Sequence, residues 1–296
     1  MYPWLWMSLS LADPLVSPDG IVMKPCGEEK EGMVCIPGGA FLRGSEEEHR
    51  CEQSENRRNQ TRFGPEQVVW VQTFYMDKTE VTYGAYKACQ KSKECPPANP
   101  SYGDFSRPNQ PMMGANWYAA KKYCEAQGKI LPSEAQWEKA ARGPDGNEGP
   151  YGNQLVTCEN AVIKDQTGRS CGVKKRGNQP SKGRVWEVAK KPAGAYGLYD
   201  MVGNAEEWVA DWYVPSFEEC GEACLGTDPK GPCEGADKCP KMKLKIVKGG
   251  SWYWGASHAK GWHRRPHFPS NKPYHHFGFR CAATIDQVKA LTSSEK

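Results

Sequence analysis

Thirteen cysteines in 296 residues constrain this chain more than any other feature. They stand at Cys26, Cys35, Cys51, Cys89, Cys95, Cys124, Cys158, Cys171, Cys220, Cys224, Cys233, Cys239 and Cys281. Cytosolic enzymes rarely keep so many thiols. Zinc is the competing use, but no Cys-x-x-Cys pair exists, and the shortest gap is Cys220 to Cys224. That spacing favours disulfides over metal. Cys89/Cys95 and Cys158/Cys171 would each close a short loop. Cys220, Cys224, Cys233 and Cys239 can hold two bridges in any of three pairings. An odd total leaves at least one thiol free or paired between chains.

Disulfides imply export, to a periplasm or the extracellular space. The opening "MYPWLWMSLSLADP" is partly consistent with that: it has a short apolar run and a small-residue site at Ser10-Leu11-Ala12. It lacks the basic segment of a signal peptide and is short for one. No other run approaches a membrane span. Asn59-Gln60-Thr61 fits a glycosylation acceptor. Net charge is +4, with lysine and arginine spread along the chain, so nucleic-acid binding has no electrostatic support. The 31 glycines and 23 prolines, beside 11 tryptophans and 13 tyrosines, predict a loop-rich fold pinned by aromatic packing.

Residues 1–30 read as leader and linker, 31–285 as one domain, and 286–296 as a frayed tail. Within the domain, "MVCIPGGAFLRGS" reads as strand, turn and strand. "EQVVWVQTFYMDKTEVT" reads as a strand, a turn and a helix entry capped by Thr82, with that helix ending near Cys89. Asn116 can cap a helix that places Trp117, Ala120 and Cys124 on one face, stopped by Gly128. Ser133 and Gln136 form a capping box for the next helix, with Trp137, Ala140 and Ala141 inward. "LKIVKGGSWYW" reads as a strand entering a Gly-Gly turn, and "HFGFRCAAT" as one closing strand.

Six segments appear in a telling order: "FYMDKTEVTYGAY", "GANWYAAKKYCEAQGKILPSEAQWEKAARG", "GLYDMVGNAEEWVADWY", "DPKGP", "KGGSWY" and "GFRCAA". Together they closely resemble the formylglycine-generating enzyme, or sulfatase-modifying factor, family over residues 31–285. The resemblance implies an α+β fold, a single domain with little regular secondary structure, distantly related to C-type lectins. It implies an oxidase that holds copper on two cysteines after Gly-Gly-Ser and converts a sulfatase cysteine to formylglycine. Counted from Gly249-Gly250-Ser251, those positions are Trp254 and Ala259 here. Neither side chain can hold Cu(I), which soft thiolates bind. Formylglycine generation by that route is therefore not expected, and a binding or structural module is. The resemblance also implies a disulfide between Cys124 and Cys281. It implies a structural calcium site at Asp200, Gly203, Ala205 and Glu207, where carboxylate and carbonyl oxygens suit a hard cation. A second family calcium site is eroded; only Asn160 and Ala161 match its start.

Five of the six histidines crowd into "HAKGWHRRPHFPSNKPYHH", residues 258–276, in the stretch that lines the family's cleft. Three uses are open. His258, His263, His267, His275 and His276 could hold copper, iron or zinc, making a divergent metal-dependent oxidoreductase. Alternatively, Trp252, Tyr253, Trp254, Trp262, Phe268 and Tyr274, interleaved with Lys260, Arg264 and Arg265, could wall a cleft for a peptide, a sugar or a small anion. The third use is a solvated loop whose histidines satisfy backbone groups. The cleft is the favoured reading.

Overall fold

A computed structural model describes residues 14–47, 63–174, 183–270 and 275–293. His49, Cys51, Asn59-Gln60-Thr61, Tyr274 and residues 1–13 lie outside them. The architecture is α+β, with short strands and helices separated by long irregular segments.

The stretch 33–45 does form two strands, β1 (Met33–Ile36) and β2 (Gly39–Arg43), but they separate into different sheets. β2 pairs antiparallel with β3 (Gln67–Val71), while β1 pairs with β4 (Phe74–Asp77). A four-stranded sheet has the order β7–β6–β5–β8, built from β5 (Glu206–Trp212), β6 (Lys245–Lys248), β7 (Arg264–His267) and β8 (Phe277–Gly278). β9 (Ala282–Thr284) joins β4 in the three-stranded sheet. The expected single closing strand is thus two strands in two sheets. Arg280 stands between them, and its buried guanidinium is anchored on Glu207, which turns the chain from one sheet to the other.

Three helices start where side-chain chemistry says they should. Thr82 caps α1 (Tyr83–Lys91), Asn116 caps α2 (Trp117–Ala126), and Ser133 with Gln136 forms a complete capping box on α3 (Glu134–Arg142). Trp137, Ala140 and Ala141 face the core of α3, but Glu134, Glu138, Lys139 and Arg142 are buried too. Their charges are met inside: Lys248 and Arg142 reach Glu138 at 3.0 and 3.1 Å. A short helix, α4 (Phe217–Cys220), follows β5.

The expected frayed tail is a helix, α5 (Ile285–Ser293). Thr284 and Gln287 form a reciprocal capping box, and Val288 is buried against Met33, Tyr75 and Ala283. The segment 14–30, expected as linker, is also tied in. Val16 bridges Val22, Met23 is buried, and Cys26 is bonded to Cys35.

Six disulfides join twelve cysteines: Cys26–Cys35, Cys89–Cys95, Cys124–Cys281, Cys158–Cys171, Cys220–Cys224 and Cys233–Cys239. Five are local. Cys124–Cys281 spans 157 residues and ties α2 to the turn before β9. After β6, the chain makes the Gly249-Gly250 turn, with φ of +87° and +65°. A Cβ on Gly249 would lie 2.7 Å from the Met201 carbonyl oxygen, and one on Gly250 2.6 Å from that of His258. Only glycine lets this turn press against the histidine stretch.

Candidate functional site

β5 carries two adjacent buried acids, Glu206 and Glu207. Successive side chains of a strand point to opposite faces, so the two acids serve different sites. Glu207 accepts from Arg280 Nε and NH2 at 2.7 Å each and from Trp137 Nε1 at 2.8 Å. Glu206 accepts twice from Arg265 NH1, at 2.8 and 2.9 Å, and His276 Nε2 lies 3.6 Å away. Burial raises the Glu206 pKa, and the Arg265 charge opposes that rise. Burial pushes His276 well below its ordinary value, with Arg265 adding to the effect, so its imidazole is neutral.

On the Glu207 side lies an acid pocket. Asp200 and Asn204 stand in the turn around Gly203, both at positive φ (55° and 49°). The Ala189 N–H donates to Asp200 Oδ2 at 2.7 Å, and Asn204 Nδ2 donates to Glu80 Oε1 at 3.0 Å. Burial raises the Glu80 pKa well above its ordinary value, and the Asp200 charge adds to it. Burial raises Asp200 as well. Arg280 faces all three acids and, despite burial, Glu207, Glu80 and Asp200 hold it above its ordinary value. No N–H or hydroxyl among the described residues reaches the buried Glu80 Oε2, and the Glu80 and Asp200 carboxyls share a hydrogen bond.

Two buried carboxyls that share a hydrogen bond, and whose ionisation burial opposes, offer oxygens of the kind a hard divalent cation takes. Among the described residues, however, no three acid, histidine or cysteine side chains converge closely enough to hold an ion alone. Both Glu207 oxygens are taken by Arg280 and Trp137, so of the expected side-chain ligands Asp200 is left, with Glu80 beside it, and a cation there would need backbone oxygens as well.

The histidine stretch is split by aromatic packing. Trp254 stacks on His258, with centroids 5.1 Å apart and planes 18° apart, and meets His276 edge-on at 6.1 Å. Arg265 lies over the Trp254 ring at 4.8 Å. His258 packs on His263 at 4.9 Å, while His267 stands elsewhere, edge-on to Phe277 at 4.7 Å. His275 sits among Tyr102, Trp252 and Tyr253 at 4.8, 5.5 and 5.3 Å.

Several of the residues expected on the cleft wall are placed inside the protein: His263 and His276 are buried, as are Arg264 and Trp262. Arg264 is a core ion: its Nε and NH2 reach Glu134 at 2.8 and 2.9 Å. Trp262 is fully buried, packed on Phe63, and donates to Glu148 at 2.6 Å. Lys260 lies over Trp262 and bridges Glu47 and Glu148 at 2.8 and 3.2 Å.

Two cavities border this stretch. One, of about 310 Å³, has Ala259, Val156, Glu47, Glu148, Asn153 and Lys260 in its lining. Ala259 itself is 3% exposed and packs with Val156, Ala161 and Ile163. The other, of about 80 Å³, is lined by Tyr102, Phe105, Arg169, Trp252, Tyr253 and His275, and by the backbone at Gly183.

Residues 19–285 match the sulfatase-modifying factor enzyme 1-like domain. The chain belongs to this family. The formylglycine-generating enzyme of Thermomonospora curvata is 28% identical over 303 residues, 86% of this chain and 94% of that protein. A Chlamydia caviae protein named serine/threonine-protein kinase pkn1 is 29% identical over 94% of this chain, which spans only 42% of that relative. Among solved structures, PvdO from Pseudomonas aeruginosa superposes with a TM-score of 0.63 at 23% identity, over 86% of this chain and 94% of its own. At that identity the likeness speaks to fold alone.

Within this sulfatase-modifying-factor domain, Trp254 and Ala259 carry no thiol, and every cysteine among the described residues is disulfide-bonded. Sequence reasoning missed Glu80, Glu206, Arg169, Tyr102 and Phe105. Glu206 had a signal: two adjacent acids in a strand cannot share a face. Tyr102 and Phe105 had a weaker one, two aromatics in the polar loop "SYGDFSRP".

Proposed function

We propose that this chain is an exported, ligand-binding member of its family that does not generate formylglycine. The observation that carries the reading is at Trp254 and Ala259. One position holds an indole stacked on His258, and the other a buried methyl at a cavity wall. Copper-dependent oxidation of a cysteine needs soft thiolate ligands at the site, and these two residues supply none. What remains around them is an aromatic and cationic wall suited to a peptide, a sugar or a small anion.

Six disulfides support an oxidising, periplasmic or extracellular setting. Among the described residues no helix is long and apolar enough to cross a membrane. Calcium at Asp200, Gly203, Ala205, Glu207 and the added Glu80 would be structural, neutralising the acid pocket rather than taking part in chemistry.

The test is direct. The full chain is incubated with Cu(I), oxygen and a cysteine peptide of the sulfatase type, and the peptide is read by mass spectrometry for aldehyde formation. The expected result is unchanged peptide. Catalytic aldehyde formation would overturn the reading.

A further inference from the structure

We propose that the smaller cavity is a subsite for a ring-bearing carboxylate, with Arg169 as the carboxylate anchor. This deepens the binding reading above and rests on it. The cavity is walled by rings in mutual contact. Phe105 packs on Trp252 at 5.6 Å, Trp252 meets Tyr253 edge-on at 5.5 Å, and Tyr102 meets His275 edge-on at 4.8 Å. Such walls present π faces and ring edges, which pack best against another ring or the C–H face of a sugar. The volume, about 80 Å³, suits one ring rather than an extended chain.

The wall is held in place by backbone bonds. Trp252 N donates to Asn204 O at 3.0 Å, its carbonyl accepts from Ser170 N at 2.8 Å, and its indole donates to His275 O at 3.2 Å. A Cβ on Gly183 would lie 3.1 Å from the Trp252 ring, so the glycine lets the backbone close over it.

Charge decides the kind of ligand. An aromatic wall alone would favour a cation, yet this cavity has a cation in its own lining and, among the described residues, no carboxylate. The Arg169 Cζ lies 3.6 Å from the Tyr253 ring centroid, a separation short enough that the guanidinium meets the ring by its face. Stacking occupies the guanidinium face and leaves its edge, where the N–H donors are, for a planar anion. Among the described residues no acid forms an ion pair with Arg169. Asp104, in the loop that carries Tyr102 and Phe105, is paired with Arg107 and Arg184. A carboxylate on a ring therefore satisfies both the π wall and the guanidinium edge. An ammonium would meet like charge, with no carboxylate among the described lining residues to offset it.

Two sources share this chemistry, an aromatic carboxylate and a sugar acid. The experiment titrates the full oxidised chain with phenylacetate and with glucuronate, followed by saturation-transfer NMR and calorimetry. Phenylacetamide and trimethylphenylammonium serve as neutral and cationic controls. The expected result is binding of at least one carboxylate, with the neutral amide weaker by about tenfold or more. Arg169→Gln should lower carboxylate affinity by a similar factor at unchanged melting temperature, and Tyr102→Ala at the rim should weaken it independently. Whichever carboxylate binds identifies the source.

Binding of the ammonium as tightly as the carboxylates would overturn the subsite, as would carboxylate binding untouched by Arg169→Gln or no binding by either acid. The broader reading fails on a different observation, aldehyde formation in the copper assay, so the two failures are distinguishable.

Discussion

Glu206 and Glu207 are neighbours on β5, yet each is paired with its own arginine on its own face of the strand. Arg280 grips Glu207 with both partners fully buried, whereas Arg265 grips Glu206 from a position 28% exposed. The two pairs should respond differently to loss of the cation. Arg280→Gln leaves Glu207, Glu80 and Asp200 in one pocket without their guanidinium, and should cost about 3–5 kcal/mol, the range for breaking a buried pair. Arg265→Gln admits water to Glu206 and should cost less, about 1–3 kcal/mol. Urea unfolding of both variants measures the difference, and equal losses would show that the Glu207 face is not a sealed acid pocket.

Glu80, hydrogen-bonded to Asp200 in the acid pocket, gives the proposed calcium site its sharpest test. A ligand held by the folded state alone stabilises it by RT ln(1 + [L]/Kd), about 2.7 kcal/mol at a hundredfold excess over Kd. Calcium should therefore raise the melting temperature of the chelator-treated protein. Glu80→Gln should retain the fold, since its amide oxygen can still accept from Asn204, and should lose most of the calcium response. Magnesium should substitute poorly, because it demands stricter geometry and gives up its water reluctantly. A melting temperature indifferent to calcium, with no calcium in the purified protein, would remove the ion from the account.

The parts of the fold legible in sequence were those with local signals. Thr82, Asn116 and Ser133 announce their helices because a cap is written within four residues. Thr284 and Gln287 carried the same signal for α5, masked by the polar tail beyond. What local pattern cannot state is which strands pair. β1 and β2 are joined by two residues, yet their partners, β4 and β3, lie more than twenty residues on. Arg264 shows the limit for the site. It sits among aromatics and histidines in sequence, but Glu134, 130 residues away, pulls it into the core. Trp252 and His275 were placed in a cleft from sequence, and they do border the smaller cavity. Arg169 and Tyr102 complete that cavity from distant loops, which no spacing rule reaches.

Asp211 should leave a mark on the pH dependence of stability. It is fully buried and accepts from the Glu134 N–H at 2.7 Å, and burial, with the Glu134 charge adding, raises its pKa from 3.8 to about 6. A carboxyl with a raised folded pKa binds its proton more tightly in the folded state. Its contribution is complete below the unfolded value and is lost as pH rises through about 6. Asp211→Asn keeps an acceptor for Glu134 and removes the titration. Between pH 4 and pH 7 the stability of wild type should fall relative to that of the variant, as read from urea midpoints at each pH. A constant difference across that range would mean Asp211 titrates normally.

The long disulfide should matter more than a short one with the same atoms. Cys124–Cys281 closes a loop of 157 residues and Cys89–Cys95 one of six, and all four sulfurs are buried. In the chain-entropy model the first contributes about 5 kcal/mol and the second about 2 kcal/mol, because the constraint on the unfolded chain grows with the logarithm of loop length. Replacing each pair with alanine removes two buried sulfur atoms in either case, so the lost packing largely cancels in the comparison. The Cys124→Ala/Cys281→Ala protein should unfold at distinctly lower urea than the Cys89→Ala/Cys95→Ala protein. Its α2 amides should also exchange faster, since that bridge fastens α2 to the chain entering β9. Equal midpoints would mean that packing around Trp117 and Phe279, rather than the covalent tie, holds these two elements together.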